Sequence, residues 1–298
     1  MDGDIVMIDQ DIGTGLRWNY QDLPYDAVDC SAMASSRLLL YIVATASFVE
    51  IMSDVYARNL VEYFKGEDEV CRWLDGVWVP EETQHGAALR RYAAAAWPAF
   101  DWDGTFERYR DEYATYCKTE RLGPTRALEM ARRCIVETGT FSYYTMIQRM
   151  APCPVLAQLA GEIRADEAGH YKQFLRFFRH YQGLEQPARS ATAKAMVQRA
   201  LEINEEDGLI AFKHVWQAMN PSREFRTSYY SEFTHALGAN ALEHYPVRTA
   251  VHMATRLLGL PRKPGRSVDA AIASVFRVGL HMTVPAYLRR GRGAAIHL

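Results

Sequence analysis

Glu82-Thr-Gln-His85 follows Glu50, and Glu167-Ala-Gly-His170 follows Glu137, each pair about thirty residues apart. These two stretches decide the fold. Residues three apart on a helix share a face, so the Glu and His of each Glu-x-x-His aim at one point. Two antiparallel helices bring residues to equal height when their turn lies midway between them. The midpoint of Glu50 and Glu82 is Gly66, within Lys65-Gly66-Glu67-Asp68. That of Glu137 and Glu167 is Pro152, within Ala151-Pro152-Cys153-Pro154. Both are chain-breaking positions, so all six side chains meet at one level.

Chance must be weighed. With 9 His in 298 residues, an isolated Glu-x-x-His carries little information, since about one match or fewer arises at random. A third copy exists, Glu232-Phe-Thr-His235, with Glu202 thirty residues before it. It lacks the acidic residue that precedes the other two, Glu81 and Asp166. The midpoint of Glu202 and Glu232 is Gln217, inside a helical pattern, and Pro221 is off centre. Glu232 and His235 are therefore assigned to the surface or the surroundings of the site.

Paired Glu and Glu-x-x-His on four helices is the ligand set of a carboxylate-bridged di-iron or di-manganese site in a helical bundle. Four carboxylates balance two divalent cations, and oxygen and nitrogen donors suit iron or manganese without a thiolate. Four carboxylates converging in a core without cations would be severely unfavourable. The expected metal ligands are Glu50, Glu82, His85, Glu137, Glu167 and His170, holding two Fe ions, with Fe/Mn or Mn as variants. Glu82 is chosen over Glu81 because the second copy uses the i, i+3 relation. Thr140, one turn after Glu137 on the same face, either relays a proton at the site or bonds its own helix carbonyl. Asp166 is expected to accept the free ring N–H of His85. Phe141, Tyr144, Phe174, Phe177 and Phe178 either line a substrate channel or fill the core.

Hydrophobic residues make up 49% of the chain, ample for a core, and a net charge of −2 gives no pull toward nucleic acid. Cys30, Cys71, Cys117, Cys134 and Cys153 are odd in number and form no C-x-x-C, which favours a reduced, cytoplasmic compartment. The acidic start Met1-Asp-Gly-Asp is not a signal-peptide n-region. The apolar run Leu38–Val49 is too short to span a bilayer and ends at Glu50. No strand alternation or Gly-rich phosphate loop is present. The expectation is an all-α, ferritin-like four-helix bundle with additional helices in a single domain over 1–298. Its core bundle covers about 36–181, and extra C-terminal helices lie in 182–298. An irregular arm occupies 1–32. Helices are expected over 36–64, 68–97 with a kink near Gly76 caused by Pro80, 104–118, 125–150, 155–181, 187–218, 222–236, 239–258 and 267–282.

Local context adds a resemblance. Trp78-Val-Pro-Glu81-Glu82-Thr-Gln-His85-Gly86, Glu137-Thr-Gly-Thr140-Phe141 and Ala165-Asp166-Glu167-Ala-Gly-His170 resemble the W-x-x-E-E-x-x-H-G, E-x-x-T-F and A-D-E-x-x-H runs of the soluble acyl-acyl-carrier-protein desaturases. The likeness covers about residues 36–181. It implies O₂-dependent desaturation of an acyl chain on acyl carrier protein, a ferredoxin-type electron donor, a homodimer, and Thr140 as the family's active-site threonine. An acidic carrier calls for a basic docking patch. The candidates are Arg90-Arg91, Arg132-Arg133, Arg262-Lys263 with Arg266, and Arg289-Arg290 with Arg292. Competing readings are a di-iron hydroxylase, an N-oxygenase, or a metal-storing or radical-bearing ferritin-like protein. The N-oxygenases carry a further histidine ligand four residues before the last Glu, where this chain has Ile163.

Overall fold

The computed structural model describes residues 15–115, 122–202 and 207–259. It is all-α, and no strand occurs among the described residues. After two 3₁₀ turns come α1 (Cys30–Met33), α2 (Arg37–Ile51), α3 (Ser53–Tyr63), α4 (Asp68–Trp73), a π-helical segment (Leu74–Trp78), α5 (Val79–Ala96), α6 (Trp102–Tyr113), α7 (Arg126–Met150), α8 (Pro154–Glu185), α9 (Arg189–Glu202), α10 (Asp207–Met219), α11 (Thr227–His244) and α12 (Val247–Thr255).

Two apolar clusters define the architecture. The first takes Leu39–Phe48 of α2, Ala87–Ala96 of α5, Tyr144 and Ile147 of α7, and Val155–Ile163 of α8. The second takes Ala57–Phe64, Leu74 and Trp78, Ala127–Ile135 of α7, and Tyr171–Tyr181 of α8. Thus α2–α3 and α8 run from the first cluster to the second, while α5 and α7 run the other way. The α2/α5 and α7/α8 pairs are antiparallel hairpins, and the connection carrying α6 crosses back along the bundle between them. Every expected ligand sits at the junction of the two clusters, on all four helices. Each large apolar side chain buried there contributes on the order of 1.5–3 kcal/mol, so the polar layer is clamped from both ends.

Local chemistry sets the helix ends. Gly66 closes the first hairpin at φ 91°, a conformation that costs glycine little. Pro154 starts α8 at a position where its missing N–H is no loss. The Glu185 carboxylate accepts from the backbone N–H of Arg126 and Ala127, capping α7 from the far end of α8. Thr125 adds a side-chain cap to Leu128 N–H. Ser36 occupies the N-cap of α2 without a side-chain bond.

The helix expected over 36–64 is broken at Met52, although no Pro or Gly stands there. The expected kink before the ligands is a π-helical turn, with Val79 N–H reaching back to Leu74 C=O. Pro80 has no N–H to offer the Gly76 carbonyl, and the wider turn absorbs the fault. Of the helix expected over 187–218, α9 and α10 are described, and residues 203–206 between them lie outside the described residues. The break expected after residue 236 lies instead at Tyr245-Pro246, because Gly238 is carried inside α11. The helix expected over 267–282 lies outside the described residues, as does Cys117. Arg37–Tyr63 is apolar and long enough to cross a membrane by composition, but 61% of its most apolar window is buried inside the protein.

Candidate metal centre

Glu50, Glu82, His85, Glu137, Glu167 and His170 come from α2, α5, α7 and α8 and are all buried. One donor atom each from Glu50, Glu82, His85 and Glu167 lies within 4.8 Å of the others. The same holds for Glu82, Glu137, Glu167 and His170. Glu82 and Glu167 belong to both sets, and each turns one oxygen toward each histidine. His85 Nδ1 is 3.5 Å from Glu82 Oε2 and 3.4 Å from Glu167 Oε1. His170 Nδ1 is 3.2 Å from Glu82 Oε1 and 3.6 Å from Glu167 Oε2. Two carboxylates thus span two half-sites, while Glu50 serves only one and Glu137 only the other.

Each four-residue set has the donors to hold a metal ion. His85 Nδ1, His170 Nδ1, Glu137 Oε2 and Glu167 Oε1 are buried without a hydrogen-bond partner. Orphaned polar atoms in a core are rare and costly, and all four face the centre. Each ring is fixed from behind: His85 Nε2 meets Asp166 Oδ2 at 3.0 Å, and His170 Nε2 meets Glu81 Oε2 at 2.7 Å. An Nε2–H donated outward leaves the Nδ1 lone pair directed inward, the arrangement that holds a metal-binding imidazole.

Electrostatics point the same way. Burial pushes the Glu50 carboxyl well above its usual range, and Glu82 beside it adds to the shift. Burial also raises Glu137, with His170 partly offsetting it. For Glu82 and Glu167 burial raises the pKa too, but the histidines outweigh it and hold both below the ordinary range. Burial depresses His85 and His170, yet the surrounding carboxylates override it and raise both well above the usual value. The four carboxylates thus favour positive charge at the centre of the cluster.

Thr140 Oγ1 donates to Glu167 Oε2 at 2.7 Å, while the carbonyls of Glu137 and Val136 lie farther off at 3.3 and 3.4 Å. The hydroxyl thus faces the centre as well as its own helix carbonyls. Asp166 also accepts from Arg17 Nε at 2.7 Å and Trp18 Nε1 at 2.6 Å, and Trp18 stacks near His85. Arg17 and Trp18 thus hold Asp166 in place behind His85. No sequence spacing announces Arg17 or Trp18. Glu81 was within reach, since it stands where Asp166 stands in the other copy and each supports the opposite histidine.

Phe174, Phe177 and Phe178 are buried in the second cluster, with Trp73 and Trp78 packed edge-on against Phe174. Phe141 packs against that cluster from a half-buried position. Tyr144 donates its hydroxyl to Glu50. These are core and site contacts rather than an evident channel lining. Glu232 and His235 on α11 are half-buried and belong to no metal-capable group among the described residues. Glu202 pairs with Arg132 at 2.7 Å. Two of the basic docking candidates are engaged internally. Arg132 and Arg133 are buried around Glu129, Arg90 bridges Asp103, and Arg91 lies over Tyr25. The candidates at 262–266 and 289–292 lie outside the described residues.

No family model, curated protein or solved structure matches this chain.

Proposed function

We infer that the protein is a di-iron, O₂-dependent oxidoreductase that desaturates an acyl chain carried on acyl carrier protein. The observation behind this reading is the pair of four-residue donor sets sharing Glu82 and Glu167. Two antiparallel hairpins joined by one long crossover support the ferritin-like assignment. In this reading Glu50, Glu82, His85 and Glu167 hold one ion, and Glu82, Glu137, Glu167 and His170 hold the other. Bound and reduced, an iron pair supplies electrons to dioxygen and the oxidising power to take hydrogen from a nearby C–H bond.

The chain's own residues provide the rest. Asp166 and Glu81 hold the two imidazoles in the tautomer that directs Nδ1 inward. The apolar clusters above and below exclude water from the ligand layer. Thr140 holds a proton at Oγ1 against Glu167 Oε2 and can deliver it to the centre. Ile163 is fully buried in apolar surroundings, so the further histidine of N-oxygenases has no counterpart there, which favours carbon over nitrogen oxidation.

A ferredoxin-type electron donor and a homodimer complete the proposal on the motif resemblance, and a cytoplasmic setting on the odd cysteine count without a C-x-x-C. Iron-loaded protein is to be reduced anaerobically, exposed to O₂ and offered a panel of acyl-carrier substrates. Mass spectrometry of the acyl group is expected to show loss of two hydrogens. Gain of one oxygen would favour hydroxylation. Turnover of an amine with every acyl thioester untouched would overturn the desaturase reading and leave the metal centre standing. Sedimentation showing only a 33.9 kDa species at working concentration would remove the dimer.

A further inference from the structure

The two half-sites share their bridging carboxylates but differ in how the remaining one is held. Glu50 receives the Tyr144 hydroxyl, and both groups are buried. Glu137 Oε2 has no hydrogen-bond partner among the described residues; His170 Nδ1 lies 3.5 Å from it. The sequence carries the same inequality. Tyr144 stands seven residues after Glu137, whereas seven residues after Glu50 stands Ala57, a methyl group packed in the second apolar cluster. The two copies of the ligand pattern are thus matched in their donors and unmatched in this one hydroxyl.

A ligating carboxylate fixed by a hydrogen bond from outside binds metal more tightly, because its orientation is set before the ion arrives. Among the described residues Tyr144 is the hydroxyl that bonds Glu50, and its ring is buried in the first cluster. We propose that Tyr144 is a positioning residue that makes the metal pair unequal. The ion beside Glu50 and His85 is held tightly, and the ion beside Glu137 and His170 is the exchangeable one. The proposal rests on the two-metal reading and adds to it an order of loading and loss: the Glu137 ion enters second and leaves first under a chelator.

The test is an anaerobic titration of metal-free full-length protein with Co(II), followed by visible absorption and by equilibrium dialysis. Wild-type protein is expected to take up two ions in two resolved steps. Tyr144→Phe keeps the ring and removes the hydroxyl. It should weaken the tighter step by about 10- to 100-fold, change the cobalt spectrum of that step, and leave the weaker step within about twofold. Glu50→Gln should affect the same step. Tyr143→Phe is the control for hydroxyl loss on α7, because the Tyr143 hydroxyl bonds the Ile42 carbonyl instead; it should alter neither step. Equal wild-type steps, or a Tyr144→Phe variant with both steps unchanged or both weakened alike, would overturn the inequality while the two-metal centre stands. Wild-type protein binding fewer than two cobalt ions would sink the two-metal reading, and the inequality with it.

Discussion

Glu81 and Glu82 are adjacent in sequence and do different work. Glu82 turns an oxygen to each histidine, whereas Glu81 reaches only the outer nitrogen of His170. Glu82→Gln is therefore expected to abolish the paired site. Glu81→Gln should retain two ions with affinity lowered about 10- to 100-fold, as for other partners behind a ligand. Equilibrium dialysis distinguishes them, and wild-type binding by Glu82→Gln would refute the assignment. Thr140→Val removes the 2.7 Å bond to Glu167 without removing a donor atom. Its metal content should be normal and its turnover lower by roughly 100-fold, the scale of a lost proton donor, with Thr140→Ser restoring most of it. If the proposed activity survived at full rate in Thr140→Val, the hydroxyl would be reduced to a packing role. The six clustered residues could be read from spacing because helix periodicity puts each Glu and His on one face and a chain-breaking turn lies midway in each hairpin, a feature the third copy lacks. Arg17 and Trp18 could not, since their contact with Asp166 joins segments nearly 150 positions apart and leaves no periodic trace.

At the scale of elements, α2 and α5 approach closely at Gly86. Gly86 follows His85 directly, and a Cβ there would collide with the Ile51 side chain and stand 2.8 Å from the Ile51 backbone nitrogen. Ser47 Oγ donates to the Gly86 carbonyl at 2.8 Å across the same contact. The glycine sets the separation of the helices that bring Glu50 and His85 together. Gly86→Ala is expected to destabilise the fold by about 1–3 kcal/mol, as overpacking does, and to lower metal occupancy by moving α5. Denaturant unfolding and metal analysis on one preparation would test both, and an unchanged midpoint with full occupancy would contradict the packing argument. The hairpin turns at Gly66 and Pro152 and the irregular turn before Pro80 were legible in the sequence, whereas Gly238 misled, being carried inside α11. The break at Met52 was not legible. No residue there forbids helix, and tertiary packing rather than local propensity determines where α2 yields to α3.

For the whole molecule, the buried layer links metal, protons and stability. In the metal-free protein His85 and His170 titrate well above their ordinary value, because the surrounding carboxylates outweigh burial. The folded state then binds protons more tightly than the unfolded chain, whose histidines titrate near about 6.5. Stability from these two groups is fully present below that pH and is lost as pH rises through the raised folded values. Cations reverse the trend, because they bind the neutral rings and ionised carboxylates and so displace the protons. Between about pH 6 and pH 9 the metal-free protein should therefore lose thermal stability from this layer, while the metal-loaded protein should hold or gain. The gap between their melting temperatures should widen with pH. Calorimetry of both forms across that range provides the measurement, with His85→Asn reducing the slope for the metal-free form. A gap that narrows toward pH 9 would mean that the two rings are not protonated in the metal-free core, and that the four carboxylates are balanced in some other way.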